Sequence, residues 1–96
     1  MAHVVIATWK AAPGQEGLVR EVLATVAPLN RAEEKMISFD AFEDHAAPGV
    51  FVLVEKYTDA GGYDDHKATD AFRTHVVGRA LPALAERTVH TYETVV

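Results

Sequence analysis

The chain has 96 residues, a length that suits one domain, and we expect residues 1–96 to fold as a single unit around a modest core. Its 49% hydrophobic and 24% charged residues are ordinary for a globular protein and exclude the disordered, collagenous and coiled-coil classes. The net charge of −5 argues against nucleic-acid binding through phosphate neutralisation, and the absence of cysteine excludes disulfides, thiolate metal sites and cysteine nucleophiles.

Neither a membrane segment nor a secretory signal is predicted. No apolar run approaches the roughly 20 residues of a membrane span. The first residues lack both the basic start and the long apolar stretch of a signal peptide. We therefore expect a cytoplasmic protein with no membrane partner and no nucleic-acid partner.

The first half of the chain carries a strand pattern, a helix pattern and a second strand pattern. Residues 3–10 are β-rich and nearly all apolar, which is typical of a strand covered on both faces. Residues 15–32 place apolar side chains at helical spacing, and Pro28 is expected to end or kink that helix in its last turns. Residues 36–42 alternate, with Ile37, Phe39 and Ala41 on one predicted face and Ser38, Asp40 and Phe42 on the other.

Residues 50–57 form the strongest strand pattern in the chain. The alternation directs two sets of side chains to opposite faces: Val50, Val52 and Val54 on one, and Phe51, Leu53, Glu55 and Tyr57 on the other.

A helical stretch and a last strand complete the chain. Thr58 and Asp59 predict a helix N-cap, and a second cap signal at Thr69 and Asp70 predicts that the helix breaks into two pieces. A short turn is expected around Pro82, and residues 87–96 alternate as a final strand.

The order β-α-β-β-α-β predicts a ferredoxin-like α+β fold, an antiparallel four-stranded sheet with its helices on one face. The other sheet face is also apolar, since it carries Val50, Val52 and Val54 with Ile37 or Phe42. An uncovered apolar face of that size is unusual on a monomer. We therefore predict a homodimer in which two sheet faces pack together.

Two polar residues stand out from the pattern as candidates for chemistry. His66 precedes Asp70 by four residues, so on a continuous helix the carboxylate could hold the imidazole tautomer that a general base requires. The alternative is a surface pair of little consequence. The five histidines show no metal-ligand spacing, and no metal site is predicted.

Glu55 lies on the strand face that also carries Tyr57. If that face meets the helices, Glu55 needs either a partner such as Arg31 or Arg87 or a raised pKa. An ion pair that closes the sheet is the favoured interpretation. Trp9 and Tyr92 are interpreted as core or interface aromatics, and His75 is left without a role.

Read in order, these residues resemble the antibiotic biosynthesis monooxygenase family, also called the quinol monooxygenase-like family. The most specific part is residues 63–72, in which Tyr63, His66 and Phe72 stand at the family's spacing. The resemblance covers nearly the whole chain and also runs through residues 10–16, 31–33, 51–57, 81–82 and 92–95.

The resemblance implies a dimer of ferredoxin-like subunits, each with a pocket between its sheet and its helices. It also implies oxidation of a phenolic or quinol substrate, polycyclic aromatics included, by dioxygen without metal, flavin or haem. His66 occupies the family's histidine position and is the implied base or hydrogen-bond partner. The implied substrate-binding residues are Tyr57, which stands where many members carry Trp, with Phe51, Leu53, Tyr63 and Phe72.

The sequence departs from the family pattern in places, and two other functions stay open. Haem degradation is not expected, because Ala7 and Tyr57 stand where haem-degrading relatives carry Asn and Trp. One alternative is an isomerase of a phosphorylated signalling sugar on the same scaffold. The other is a non-catalytic ligand-binding or stress-associated dimer, which predicts that side chains fill the space between sheet and helices.

Overall fold

The computed structural model describes residues 1–96 and contains four strands and two α-helices. A π-helical segment and a short 3-10 turn precede the last strand. In chain order the elements are β1 (His3–Ala11), α1 (Glu16–Arg31), β2 (Met36–Glu43), β3 (Val50–Tyr57), α2 (Ala60–Lys67), the π-helical segment (Phe72–Ala80), the 3-10 turn (Leu81–Ala83) and β4 (Leu84–Glu93).

The four strands form one antiparallel sheet in the order β2-β3-β1-β4. The helices cover one face of this sheet, so the predicted ferredoxin-like α+β fold is confirmed. Buried positions alternate along β3 as predicted, and its core-facing residues are Phe51, Leu53, Glu55 and Tyr57. These side chains therefore lie between the sheet and the helices.

The predicted break in the second helical region is confirmed. Asp59 caps α2 by accepting a hydrogen bond from the backbone N–H of Gly62 at 3.2 Å. α2 ends at Lys67, and Thr69 then accepts a hydrogen bond from the backbone N–H of Phe72 at 3.1 Å. Each cap satisfies an N–H that has no partner within its own helix, so each begins a separate helical piece.

The predicted span of the first helix is confirmed, since α1 runs from Glu16 to Arg31 with Pro28 in its last turns. The bounds predicted for the last strand differ from the structure. The last strand begins and ends earlier than residues 87–96. Its length is set by pairing with β1, from Ala11 opposite Leu84 to His3 opposite Glu93.

The alternation predicted for β2 is also wrong at one position. The pairing with β3 shifts between Met36 and Ser38, so the strand carries an irregularity there. As a result Met36 and Phe39 are both buried, whereas Ile37 is 53% exposed. Ile37 and Phe39 therefore do not share a face.

The sheet face opposite the helices, which we call the open face, is largely apolar. Val50, Val52 and Val54 are half-buried there, and Phe42, which pairs with Val52, is 57% exposed. Tyr92 is likewise half exposed. The structure thus contains the uncovered apolar face expected from the sequence.

Trp9 was interpreted as either a core or an interface aromatic, and the structure places it in the core. Its indole Nε1 and the Nδ1 atom of His75 are buried without a hydrogen-bond partner. His75 lies on the π-helical segment, and no role is assigned to it.

None of the helices combines the length and the hydropathy that a membrane span requires.

Candidate functional site

Four polar side chains meet beneath α2, and we call them the His66 cluster: Glu33, Glu55, Tyr57 and His66. Glu33 comes from the turn between α1 and β2, Glu55 and Tyr57 from the core face of β3, and His66 from α2. His66 is 2% exposed and Glu55 is 5% exposed. Burial of such groups costs free energy unless they are paired, so their contacts decide what the cluster can do.

The contacts of His66 define which ring nitrogen carries its proton. Nδ1 lies 2.8 Å from Oε2 and 3.1 Å from Oε1 of Glu33. An ionised carboxylate only accepts hydrogen bonds, so Nδ1 carries the proton and Nε2 is the basic nitrogen. Nε2 faces the interior, 4.0 Å from Oε1 of Glu55.

The carboxylate that holds His66 is not the one predicted. Asp70 was expected to share a helical face with His66, but α2 ends at Lys67 and the Asp70 side chain is 94% exposed and pairs with Arg73. Because the helix is interrupted, the i, i+4 geometry does not form. Glu33 takes that place from a distant part of the chain, and the spacing of residues could not have shown it.

The predicted ion pair between Glu55 and an arginine is also not formed. Arg31 instead donates two hydrogen bonds to the backbone carbonyl of Phe39, at 3.1 and 2.9 Å. Glu55 accepts a hydrogen bond from the Tyr57 hydroxyl at 2.6 Å. Burial raises the pKa of Glu55, while the Tyr57 hydrogen bond and the nearby His66 oppose that rise. Burial, reinforced by the Glu55 charge, also raises the pKa of Tyr57, which therefore acts as a neutral donor.

The raised pKa of Glu55 predicts how the stability of the folded protein depends on pH. The pKa of Glu55 in the folded protein lies above its ordinary value of 4.5, so the buried carboxylate destabilises the fold increasingly as pH rises through that range. Glu55→Gln keeps an acceptor for Tyr57 and has no charge. We expect the variant to melt at a higher temperature than the native protein at about pH 8, with the difference disappearing toward about pH 4. Thermal melts across that range measure it, and a difference independent of pH would contradict this account.

Aromatic rings surround His66. The Tyr63 ring is stacked with the imidazole at a centroid distance of 6.4 Å, and Phe72 meets it edge-on at 5.2 Å. Tyr57 lies 6.1 Å from the imidazole. The structure therefore brings three of the predicted substrate-binding residues together around His66.

Phe51 and Leu53 lie elsewhere along β3. At about 3.3 Å per residue, Phe51 is about 20 Å from Tyr57, at the other end of the strand. Phe51 lines a separate cavity of about 210 Å³ with Arg20 and Glu43, whose side chains are joined by two hydrogen bonds of 2.7 Å. Leu53 is buried in the core between the two ends. Of the five predicted substrate-binding residues, only Phe51 lines one of the three cavities in the structure.

A second cavity, which we call the polar cavity, lies directly against the His66 cluster. Its volume is about 220 Å³, and its lining residues are Glu33, Glu34, Lys35, Gly62, Asp65 and Thr69. One of these residues, Glu33, belongs to the cluster, and two others touch it. Thr69 donates to the His66 carbonyl at 2.9 Å, and Gly62 packs against Tyr57. The polar cavity therefore reaches the cluster at Glu33.

The charge of the polar cavity is predominantly negative. Glu33, Glu34 and Asp65 contribute carboxylates, whereas its one lysine, Lys35, is 3.2 Å from Asp59. Such a lining favours hydrogen-bond donors and disfavours phosphate groups. No group of three or more His, Cys, Asp or Glu side chains is placed to hold a metal ion.

Fold and site together define a ferredoxin-like α+β protein with a buried acid–base cluster beneath its second helix. The family model for antibiotic biosynthesis monooxygenase matches residues 2–77. The chain belongs to the antibiotic biosynthesis monooxygenase family.

Solved structures agree with this assignment. A structure described as an antibiotic biosynthesis monooxygenase is 26% identical, with a TM-score of 0.89 over 98% of this chain and 99% of that one. A candidate antibiotic biosynthesis monooxygenase from Nitrosomonas europaea is 21% identical and shares the fold, with a TM-score of 0.93 over 98% of this chain and 90% of that one. The protein SO0527 from Shewanella oneidensis is 26% identical, with a TM-score of 0.89 over 97% and 90%. Among curated proteins, none matches the chain.

Proposed function

We propose that this protein is a monooxygenase that oxidises a phenolic or quinol small molecule with dioxygen, without a bound cofactor, and that His66 assists deprotonation of the substrate. The observation that carries the proposal is the environment of His66, which is 2% exposed and hydrogen-bonded through Nδ1 to Glu33. A buried imidazole with a defined tautomer is the arrangement that acid–base catalysis uses. Membership in a family of monooxygenases supports the reaction class.

The chemistry needs little from the protein beyond binding and proton transfer. A phenol that loses its proton becomes an electron-rich anion, which can reduce dioxygen directly. For a benzenediol, one oxygen atom enters the ring and the other leaves as water, giving a hydroxyquinone. The substrate supplies all four electrons, so dioxygen is the only oxidant required. The protein binds the substrate and accepts its proton.

The polar cavity supports a hydroxyl-bearing substrate over a phosphorylated one. Its three carboxylates would repel a phosphate group, and Lys35 is already paired with Asp59. This observation argues against the isomerase of a phosphorylated sugar. Hydroxyl groups of a phenol or quinol can donate to the same carboxylates.

Oxygen consumption by metal-free protein tests the proposal. The substrates are a panel of anthrones, quinols and catechol-like phenols, each compared with its own rate of autoxidation. We expect uptake above that rate for at least one class, unaffected by a chelator. Absence of enzyme-dependent uptake across the whole panel would contradict the proposed function.

We also propose that the protein forms a homodimer through the open face. Val50, Val52 and Val54 with the exposed Phe42 make an apolar surface that a second copy can cover symmetrically. The helices occupy the opposite face, so this contact leaves the polar cavity accessible.

A further inference from the structure

Glu33 differs from the other members of the His66 cluster because it also lines a cavity. His66, Glu55 and Tyr57 line none of the three cavities in the structure. The side chain of Glu33 is 17% exposed, against 3% for His66 and 7% for Glu55. A molecule in the polar cavity therefore lies against Glu33, whose carboxylate is hydrogen-bonded to His66.

We propose that Glu33 and His66 form one acid–base dyad, in which Glu33 accepts the proton of the substrate hydroxyl and His66 is the positioning residue. The identity of the substrate as a phenol or quinol rests on the proposed function. In the step, the substrate O–H bond breaks and an O–H bond forms on a Glu33 oxygen. The electron pair stays on the substrate oxygen, which becomes the phenolate that reduces dioxygen.

The hydrogen bonds of Glu33 leave room for this step. A carboxylate offers about four lone-pair positions, and His66 Nδ1–H occupies those that face the core. Glu33 also lines the polar cavity, and no other side chain donates a hydrogen bond to its carboxylate, so acceptor capacity is left for a molecule bound there. A donor held on one side orients the carboxylate and limits its rotation, which is what a base in a fixed geometry requires.

Gly62 lies where α2 packs on β3, at the wall of the polar cavity. A Cβ atom at this position would lie 2.9 Å from the Tyr57 ring and 2.9 Å from Cβ of Lys35, closer than such atoms approach. The absence of a side chain lets α2, which carries His66, approach β3 closely.

Kinetics of single and double variants test whether the two residues act as one unit. We expect Glu33→Gln, His66→Ala and the double variant each to lower kcat by a similar factor of at least about 10², because members of one catalytic unit are non-additive. Glu86→Gln is the control, since Glu86 is an exposed glutamate on β4, and its kcat should stay within about twofold. A double variant that loses the product of the two single effects would overturn the dyad, as would a Glu33→Gln variant with native kcat.

Binding measured without turnover separates this inference from the proposed function. Catechol is titrated anaerobically into the native protein and followed by the amide NMR signals of Gly62 and Thr69. We expect both signals to shift, and Glu33→Gln to weaken the binding roughly tenfold, because a charged acceptor is exchanged for a neutral one.

Signals of Gly62 and Thr69 that do not move in the native protein would overturn the site, even if Glu33→Gln fails to fold. Equal affinity of a folded Glu33→Gln variant would also overturn it. If catechol shifts the signals of the native protein and binds Glu33→Gln more weakly, but no substrate gives oxygen uptake, the Glu33 site is supported and the monooxygenase function is contradicted.

Discussion

Replacing His66 with alanine should lower the turnover of a phenolic substrate by roughly 10² to 10⁴-fold, the usual effect of removing a positioned acid–base group. The His66 imidazole is the only side chain that donates a hydrogen bond to the Glu33 carboxylate. Its removal leaves that carboxylate without a buried partner. The measurement is kcat from oxygen uptake, with circular dichroism to show that the variant is folded.

The matched control is His45→Ala. His45 is exposed in the connection between β2 and β3 and makes no side-chain hydrogen bond, so the same substitution there should leave kcat within about twofold. A fall of less than tenfold for a folded His66→Ala variant would remove His66 from the deprotonation step.

Val52→Asp should convert the proposed homodimer into monomers. Val52 lies on the open face in β3, opposite Thr8 of β1 and Phe42 of β2, so a symmetric sheet-to-sheet contact would bury it. An unpaired carboxylate buried in an apolar contact costs several kcal/mol, enough to dominate the association free energy of two small sheets. Sedimentation velocity should report half the native mass, with the fold retained.

The same substitution on the helical side separates dimer disruption from a general effect of added charge. Val77 is 47% exposed on the π-helical segment, away from the open face, and Val77→Asp should leave the mass unchanged. A Val52→Asp variant that sediments as the native protein does would refute the open face as the dimer contact.

The amino-acid sequence by itself determined the fold class and the faces of its elements. Strand alternation requires only that successive side chains point to opposite sides, so the core-facing set from Phe51 to Tyr57 could be predicted without any knowledge of neighbours. The caps at Asp59 and Thr69 are local as well, because each satisfies an N–H a few residues away. The apolar open face follows from the same alternation.

Only the tertiary structure decided the register of the strands and the partners of the site. The irregularity near Met36 and the end of β4 depend on how far a neighbouring strand extends, which periodicity does not contain. The pairing of His66 with Glu33 joins α2 to a turn 33 residues earlier in the chain. Asp70, the partner predicted from local spacing, lies beyond the end of α2 and is exposed to solvent.

The candidate site depends on contacts between distant residues, which local sequence patterns do not predict. Tyr57, Tyr63 and Phe72 surround His66 because packing of α2 and the π-helical segment on β3 brings them there. Phe51 shares the face of β3 with Tyr57 but lies at the other end of the strand, because a common face fixes the direction of a side chain and not its position along the strand. Side-chain direction is a local property of the backbone, whereas proximity of distant residues is set by packing, and the candidate site depends on the second.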